Sequence, residues 1–250
     1  MLLTLKIILA PLCIGLVTLA GRRWGPAVSG LLTGLPLTSG PVSLILALQY
    51  GRAFAARAAT GTLVGEVSVC AFCLAYTIAA RRTNWPLSVL AASAAYLAAT
   101  LVWNEFTWSL LPAFAFLLLA IAVVARCIPQ RPVAQNAFHP PRWDLPARMV
   151  LVTVFVLALT TVADTLGPQL SGLLAPFPVF ATVLATFTHR QQGPEAAAQL
   201  LRGVVVGMSA SACFLLMVGG LVTRMAVGPT YVLAAIAAIG ASAVALQLKR

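Results

Sequence analysis

Long apolar segments, separated by short polar or basic ones, recur along the whole chain. Each is long enough, at about 17–25 residues, to cross a hydrocarbon core of about 30 Å as an α-helix. The segments do not alternate apolar and polar positions, so the pattern favours helices over the strands of a β-barrel. Nine spans are predicted, at about 2–20, 26–50, 59–80, 86–102, 107–125, 149–163, 168–188, 200–222 and 228–248. The predicted fold class is an all-α, polytopic membrane protein.

Composition supports this class and changes how the charge is interpreted. The 250 residues are 61% hydrophobic and 8% charged, whereas soluble domains carry about 25% charged residues. The net charge is +11, but the basic residues occupy short loops between spans. Arginines at cytoplasmic span ends, next to anionic lipid, explain that placement better than nucleic-acid binding does. Membrane lipids are therefore the expected partners, and nucleic acid is not.

A short motif occurs twice and indicates an internal repeat. The sequence GPAVSGLL at residues 25–32 returns as GPQLSGLL at residues 167–174, an offset of 142 (168 − 26 = 142). The same offset aligns glycines, prolines and polar residues without a gap as far as Arg82 and Arg224. Matched alanines and leucines would mean little in so apolar a chain, but matched glycines and prolines indicate two copies of one module.

The offset divides the chain into two repeats and one extra span. Spans 6 to 9 correspond to spans 1 to 4, and span 5 has no counterpart. Five crossings precede the second copy, so it must enter the membrane from the opposite side. The predicted units are a four-helix repeat at 1–103, an extra helix with a basic linker at 104–148, and an inverted four-helix repeat at 149–250. Gln49 and Gln191, which are matched at this offset, are expected to cap the ends of spans 2 and 7.

Charge predicts the orientation. An N-terminus outside the membrane leaves most of the arginines in the cytoplasm, including Arg22, Arg23, Arg81, Arg82, Arg190 and those of the linker. It leaves Arg52, Arg57 and Arg224 outside, and the reverse orientation places far more basic residues there. Because basic residues favour the cytoplasmic side, the prediction is a bacterial inner-membrane protein with its N-terminus outside and its C-terminus in the cytoplasm.

The second copy of the motif carries a resemblance to a known family. The string Gly167-Pro168-x-x-Ser171-Gly172-Leu173-Leu174-x-x-Phe177-Pro178 resembles a motif of uncharacterised bacterial inner-membrane proteins. It is also similar to that of the small GlpM-like membrane proteins, whose length is about one repeat. The resemblance implies a fused pair of such modules. It implies neither a substrate nor catalytic residues.

Spans 2 and 7 carry the candidate substrate site. Glycine and proline crowd span 2 between Gly34 and Pro41, and Pro176 and Pro178 stand at the corresponding place in span 7. Proline removes a backbone donor and clashes with the preceding turn, so both helices are predicted to break there. Inverted repeats with broken helices are typical of secondary transporters, whose substrates bind at the breaks. The predicted binding residues are Ser29, Gly30, Pro36, Thr38, Ser39, Ser171, Gly172, Pro176, Pro178 and Thr182. The alternative is that glycine and serine only allow close helix packing.

Glu66 is the one acidic residue well inside a predicted span. A carboxylate in a membrane is costly, which favours a functional interpretation. Protonation on one side and release on the other would couple transport to a proton gradient. The alternative is a carboxylate near a span end, paired with Arg57 or another arginine.

The residues favour a proton-coupled transporter of a small or lipid-like molecule over two other classes. A non-transporting membrane organiser and an intramembrane lipid-modifying enzyme stay open as alternatives. Two histidines and five acids do not supply a metal or catalytic set, and the C-x-x-C of Cys70 and Cys73 lacks a second ligand pair. No enzyme activity, metal or cofactor is therefore predicted. The expected partner besides lipid is a small-molecule substrate, and homodimerisation is left open.

Overall fold

The computed structural model of the protein describes residues 2–36, 39–129, 141–158 and 177–247. This part of the chain contains helices, turns and bends but no strand. The helices, in chain order, are α1 (Leu2–Trp24), α2 (Pro26–Thr33), α3 (Ser39–Tyr50), α4 (Arg52–Ala80), α5 (Trp85–Asn104), α6 (Leu110–Cys127), α7 (144–158), α8 (Val179–Gln192), α9 (Pro194–Leu221) and α10 (Val227–Gln247).

Five of these helices are long and apolar enough to cross a membrane. They are α4, α5, α6, α9 and α10, which correspond to predicted spans 3, 4, 5, 8 and 9. Large apolar side chains point outward from them, such as Leu90 of α5 at 65% exposure and Ile239 of α10 at 70%. Water would not tolerate so apolar a surface, whereas lipid does. The fold is thus all-helical with at least five candidate membrane-spanning helices.

Helices α4 and α9 begin earlier than the apolar pattern predicts. The predicted starts, residues 59 and 200, are wrong by several residues, because α4 begins at Arg52 and α9 at Pro194. Gly51 and Gly193 precede them with φ of 85° and 92°, a conformation that glycine adopts without the penalty of a Cβ. These glycine turns, and not the first apolar residue, determine where the helices begin.

Helices α4 and α9 form the centre of the molecule. They pack against each other, and α6 packs against both of them. Helix α5 packs on α4, α10 packs on α9, and α2 packs on α9. The two central helices are antiparallel, because a small cavity between Thr77, Arg81 and Pro194 joins the end of α4 to the start of α9.

The helix ends gather on two sides. One side, called the basic end, holds the last turns of α1, α4, α6 and α8 and the first turns of α7 and α9. Its contacts include the Arg22–Asp144 ion pair and the pair formed by Tyr76 and His189. On the opposite end, Arg52 donates a hydrogen bond to the Met225 carbonyl. The chain therefore passes from end to end with each long helix.

Candidate functional site

Glu66 lies at the centre of α4, fourteen residues from both Arg52 and Ala80. Its Oε1 accepts a hydrogen bond of 2.5 Å from the Ser211 hydroxyl of α9. Its Oε2 is enclosed and has no hydrogen-bond partner among the described residues. A helix rises about 1.5 Å per residue, so the residue is about 21 Å along the axis from either end of α4. The structure thus places an ionisable group at the middle of the longest helix.

The depth of Glu66 follows from the early start of α4. A span beginning at residue 59 would have put this carboxyl group near its end, within reach of the arginines there. Arg57 instead lies nine residues before Glu66 in the same helix, about 13 Å away along the axis. The hydrogen-bond partner that the structure gives Glu66 is Ser211, on a different helix.

Span 2 is interrupted where glycine and proline predicted a break. Helix α2 ends at Thr33 and α3 begins at Ser39. The Gly34 amide donates to the Gly30 carbonyl and the Gly40 amide to the Pro36 carbonyl. Of the five predicted binding residues in this half, Pro36 lies in the break, Ser39 is the first residue after it, and Thr38 lies outside the described residues.

The break is pressed against the middle of α9. A Cβ added to Gly34 would lie 2.5 Å from the Val204 carbonyl oxygen and 2.7 Å from the Met208 amide nitrogen. Met208 is fourteen residues from the start of α9, and it precedes Ser211 by about one helical turn. The break and the Glu66 carboxyl group therefore contact neighbouring turns of the same helix, at the same depth.

Ser29 and Gly30 lie in contacts between helices. Ser29 is buried, and its Cβ would be 2.8 Å from a Cβ added to Gly21 of α1. A Cβ added to Gly30 would lie 1.8 Å from the Leu200 carbonyl oxygen of α9, and one on Gly203 would lie 2.4 Å from the Ala27 carbonyl oxygen. Close packing, the alternative considered for these positions, accounts for these contacts.

Only part of the second predicted half-site belongs to the described residues. Ser171, Gly172 and Pro176 lie outside them. Pro178 precedes the first residue of α8, and its carbonyl accepts a hydrogen bond from the Thr182 hydroxyl at 2.9 Å. Both residues thus stand in the first turn of α8.

Phe177, which the sequence did not single out beyond the motif, anchors this turn. Its ring packs edge-on against Tyr96 at 5.3 Å and Phe72 at 6.1 Å, and stacks on Phe155 at 5.7 Å. Aromatic pairs in these geometries add stability beyond the area that they bury. The start of α8 is therefore held by helices α4, α5 and α7.

A buried polar cluster at the basic end was not predicted. Asp144, the first residue of α7, is 1% exposed at its side chain and accepts a hydrogen bond of 2.9 Å from Arg22 of α1. Arg148 donates to both carboxylate oxygens at 3.1 Å, and Gln191 of α8 donates to one of them at 2.6 Å. We call these four residues the Asp144 cluster.

The electrostatics of the Asp144 cluster favour the ionised carboxylate. Burial alone would raise the pKa of Asp144, but hydrogen bonds from Gln191, Arg22 and Arg148, with the charge of Arg148, hold it below its ordinary value. The Arg148 guanidinium also lies 4.8 Å from the centre of the Phe187 ring. The four groups thus satisfy one another without a solvent contact for Asp144.

Two sequence interpretations change at this cluster. The sequence assigns Asp144 to the basic linker at 104–148, but the structure places it, buried, in the first turn of α7. Gln191 was expected to cap α8, but its side chain binds Asp144 and Arg148 of α7. The match between Gln49 and Gln191 was the one signal in the sequence that could have drawn attention to this position.

The described part of the chain contains no group of three or more His, Cys, Asp or Glu side chains that could hold a metal ion. Cys70 and Cys73 are buried free thiols. Comparison of the chain with protein-family models, with curated proteins and with solved structures gives no match. The resemblance to GlpM-like proteins therefore stays a prediction.

Proposed function

We propose that the protein is a secondary membrane transporter in which Glu66 carries the coupling proton. The observation that supports this most is that the Glu66 carboxyl group and the break between α2 and α3 contact α9 at the same depth. The Glu66 carboxyl group binds Ser211, and the interruption between α2 and α3 contacts Met208 about one turn away. Transporters of this class bind substrate and coupling ion where unwound backbone meets a polar group near the midplane.

The proton would be bound to Oε2 of Glu66. Ser211 donates to Oε1, while Oε2 has no partner among the described residues. A proton on Oε2 neutralises a charge that is costly at this depth. Loss of that proton toward one end of the molecule and uptake from the other would couple its gradient to movement of the substrate.

Two inverted repeats are part of this proposal. Helices α4 and α9 begin at Arg52 and Pro194, and α5 and α10 begin at Trp85 and Val227. Both pairs of starts differ by the same 142 residues as the repeated motif (194 − 52 = 142, 227 − 85 = 142). The antiparallel packing of α4 and α9, with the unpaired helix α6 against both, supports modules of opposite orientation. Alternating access would then rock one repeat against the other.

The proposed substrate is a small molecule that is apolar, zwitterionic or weakly charged, or a lipid-like one. Glu66 is the one charged residue of α4 after Arg57, and α9 has none after Arg202. A multiply charged substrate would need fixed countercharges, which these residues do not offer. The proposed contacts in the first half are Pro36 and Ser39 beside the break, and Pro178 and Thr182 take the corresponding place in the second half.

The proposed location is the bacterial inner membrane, with the basic end in the cytoplasm. Arginines concentrate there, at Arg22, Arg23, Arg81, Arg82, Arg126, Arg142, Arg148 and Arg190. The opposite end holds Arg52 and Arg224 with Glu105. Because basic residues are retained on the cytoplasmic side, this asymmetry supports an outside N-terminus and a cytoplasmic C-terminus.

The test is transport in proteoliposomes with an imposed pH gradient. Purified protein is screened for gradient-driven uptake or efflux of a panel of metabolites, drugs and lipid-like compounds. Wild type is compared with Glu66→Gln, which keeps the shape of the side chain but cannot release a proton. Glu105→Gln is the matched control, because Glu105 is an exposed acid at the end of α5.

The expected result is a gradient-driven flux that Glu66→Gln abolishes and Glu105→Gln leaves unchanged. Flux that survives Glu66→Gln would limit this residue to a structural role and remove proton coupling from the proposal. No flux for any compound would favour the alternative of a non-transporting membrane organiser. The glycine-mediated contact of α2 with α9, which suits static packing, is the observation that keeps this alternative open.

A further inference from the structure

The Asp144 cluster joins helix ends from both halves of the chain at one end of the molecule. Arg22 closes α1 in the first half, whereas Asp144 and Arg148 open α7 and Gln191 closes α8 in the second half. The sequence separation between Arg22 and Asp144 is 122 residues. The contacts among these four side chains therefore connect the two halves of the chain.

The cluster is buried unevenly, which indicates a contact that can open. The side chains of Asp144 and Arg148 are 1% and 6% exposed, while that of Arg22 is 32% exposed. Asp144 and Arg148 share one helix, so their contact does not depend on a second helix. Arg22 is the member that reaches across from the other half, and its partial exposure lets water replace the contact.

A buried ion pair contributes little net stability compared with apolar packing of the same volume, since two charges must first lose their water. Such a pair can instead favour one arrangement of the helices over others. Removal of one partner is strongly destabilising, because the other charge is then buried without a partner. Interfaces whose ion pairs break and re-form are a recurrent part of conformational switches. The Asp144 cluster, which joins the two halves through an ion pair, suits such an interface.

The cluster is connected to the face of α4 that carries Glu66. Gln191 is two residues from His189, whose Nδ1 is 3.3 Å from the Tyr76 hydroxyl of α4. Cys70 and Cys73 follow Glu66 by four and seven residues, so both lie on the same face of α4 as Glu66. Tyr76 continues this face three residues after Cys73. The end of α8 thus contacts α4 at Tyr76, on the stretch of α4 between Glu66 and the basic end.

We propose that the Asp144 cluster is the gate at the basic end. In the arrangement described here it holds α1 against α7 and α8 and closes the route from that end to Glu66. Loss of the Arg22–Asp144 contact lets α8 move away from α4. This inference rests on the proposed transport function for its purpose, but the closing contact itself can be tested without any substrate.

The test uses the native cysteines as reporters. Purified protein in detergent is treated with N-ethylmaleimide, and the alkylation rate of each cysteine is followed by peptide mass spectrometry. Cys70 and Cys73 are 1% and 0% exposed, so their rates report opening. Cys127 is exposed and serves as the internal standard. The variants are Arg22→Gln and Asp144→Asn, with Arg23→Gln as the matched control at the neighbouring, exposed position.

We expect Arg22→Gln and Asp144→Asn to raise the rates at Cys70 and Cys73 by roughly tenfold or more, because each removes one partner of the Arg22–Asp144 pair and leaves the buried side of the cluster without that contact. The rate at Cys127 and all rates in Arg23→Gln stay at wild-type values. Unchanged rates at Cys70 and Cys73 would overturn the gate. An equal rise at Cys213 of α9, a helix outside the cluster, would overturn it too, because that result indicates unfolding. Since the readout needs no flux, its outcome is separate from that of the transport assay.

Discussion

At the scale of single residues, two carboxyl groups differ because their surroundings differ. Glu66 has one hydrogen bond, from Ser211, and one enclosed oxygen without a partner in the described chain. Asp144 has donors on both oxygens. Favourable contacts to the charged form hold Asp144 ionised, whereas Glu66 is free to accept a proton. The first is suited to a lasting contact, and the second is the proton site of the proposed function.

Asp144 gives a prediction about stability and pH. Its pKa is held below the ordinary value, so its stabilisation is complete above the unfolded-state pKa of about 3.9. It is lost as the pH falls through the lower folded-state value. Asp144→Asn should therefore lower the free energy of unfolding by about 1–3 kcal/mol at pH 7.

Thermal unfolding in detergent, measured from pH 7 down to pH 3, checks this prediction. The difference between wild type and Asp144→Asn should shrink below about pH 4, because the carboxylate of the unfolded chain begins to bind a proton there while that of the folded protein stays ionised to lower pH. Glu105→Gln, which alters an exposed acid, should follow wild type at each pH. A difference that stays constant across this range would contradict the assigned role of the charge.

At the scale of helices, glycine determines which surfaces meet. Helix α2 approaches α9 so closely that Gly30 faces the Leu200 backbone and Gly203 faces the backbone of α2. Small residues allow this kind of backbone contact in membranes, where apolar side chains gain little by leaving lipid. The approach positions the break after α2 against Met208. The glycine contact thus sets the depth of the break.

Gly30→Ala should separate α2 from α9. The added Cβ would lie 1.8 Å from the Leu200 carbonyl oxygen, and a backbone atom in a helix cannot move aside cheaply. We expect a loss of about 1–3 kcal/mol in the free energy of unfolding, as for other overpacked sites. Gly240→Ala is the control, because no described atom lies within 4 Å of its added Cβ. Equal thermal stability of the two variants would refute the contact.

At the scale of the whole molecule, charge and packing divide the protein into two unlike ends. The basic end carries most of the arginines together with the Asp144 cluster. The opposite end is joined by contacts such as the Ser43–Tyr231 hydrogen bond of 2.7 Å between α3 and α10. Glu66 lies between the two ends. The proposed transport route would pass from the Asp144 cluster to Glu66 and on to the opposite end.

The orientation of these ends is a prediction that reporter fusions check. A fluorescent protein fused after Arg250 should fluoresce, because a cytoplasmic C-terminus lets it fold there. Alkaline phosphatase, which is active only outside the cytoplasm, should be inactive at that site and active when inserted at Glu105 between α5 and α6. The opposite pattern at both sites would reverse the assignment of the basic end.

The sequence was enough to predict the class of the protein, the five candidate membrane-spanning helices and the interruption of span 2. These features depend on local properties, namely apolar length, glycine and proline content, and the placement of charge. The exact starts of α4 and α9 depended on the conformations of Gly51 and Gly193, which the apolar pattern does not contain.

Only the tertiary structure decided which residues meet. Glu66 and Ser211 are 145 residues apart, and Arg22 and Asp144 are 122 residues apart. Such contacts depend on the packing and rotation of whole helices, and almost uniformly apolar segments leave that rotation undetermined. This is why the sequence singled out Glu66 but not its partner, and why it placed Asp144 in the basic linker without indicating its contacts with Arg22, Arg148 and Gln191.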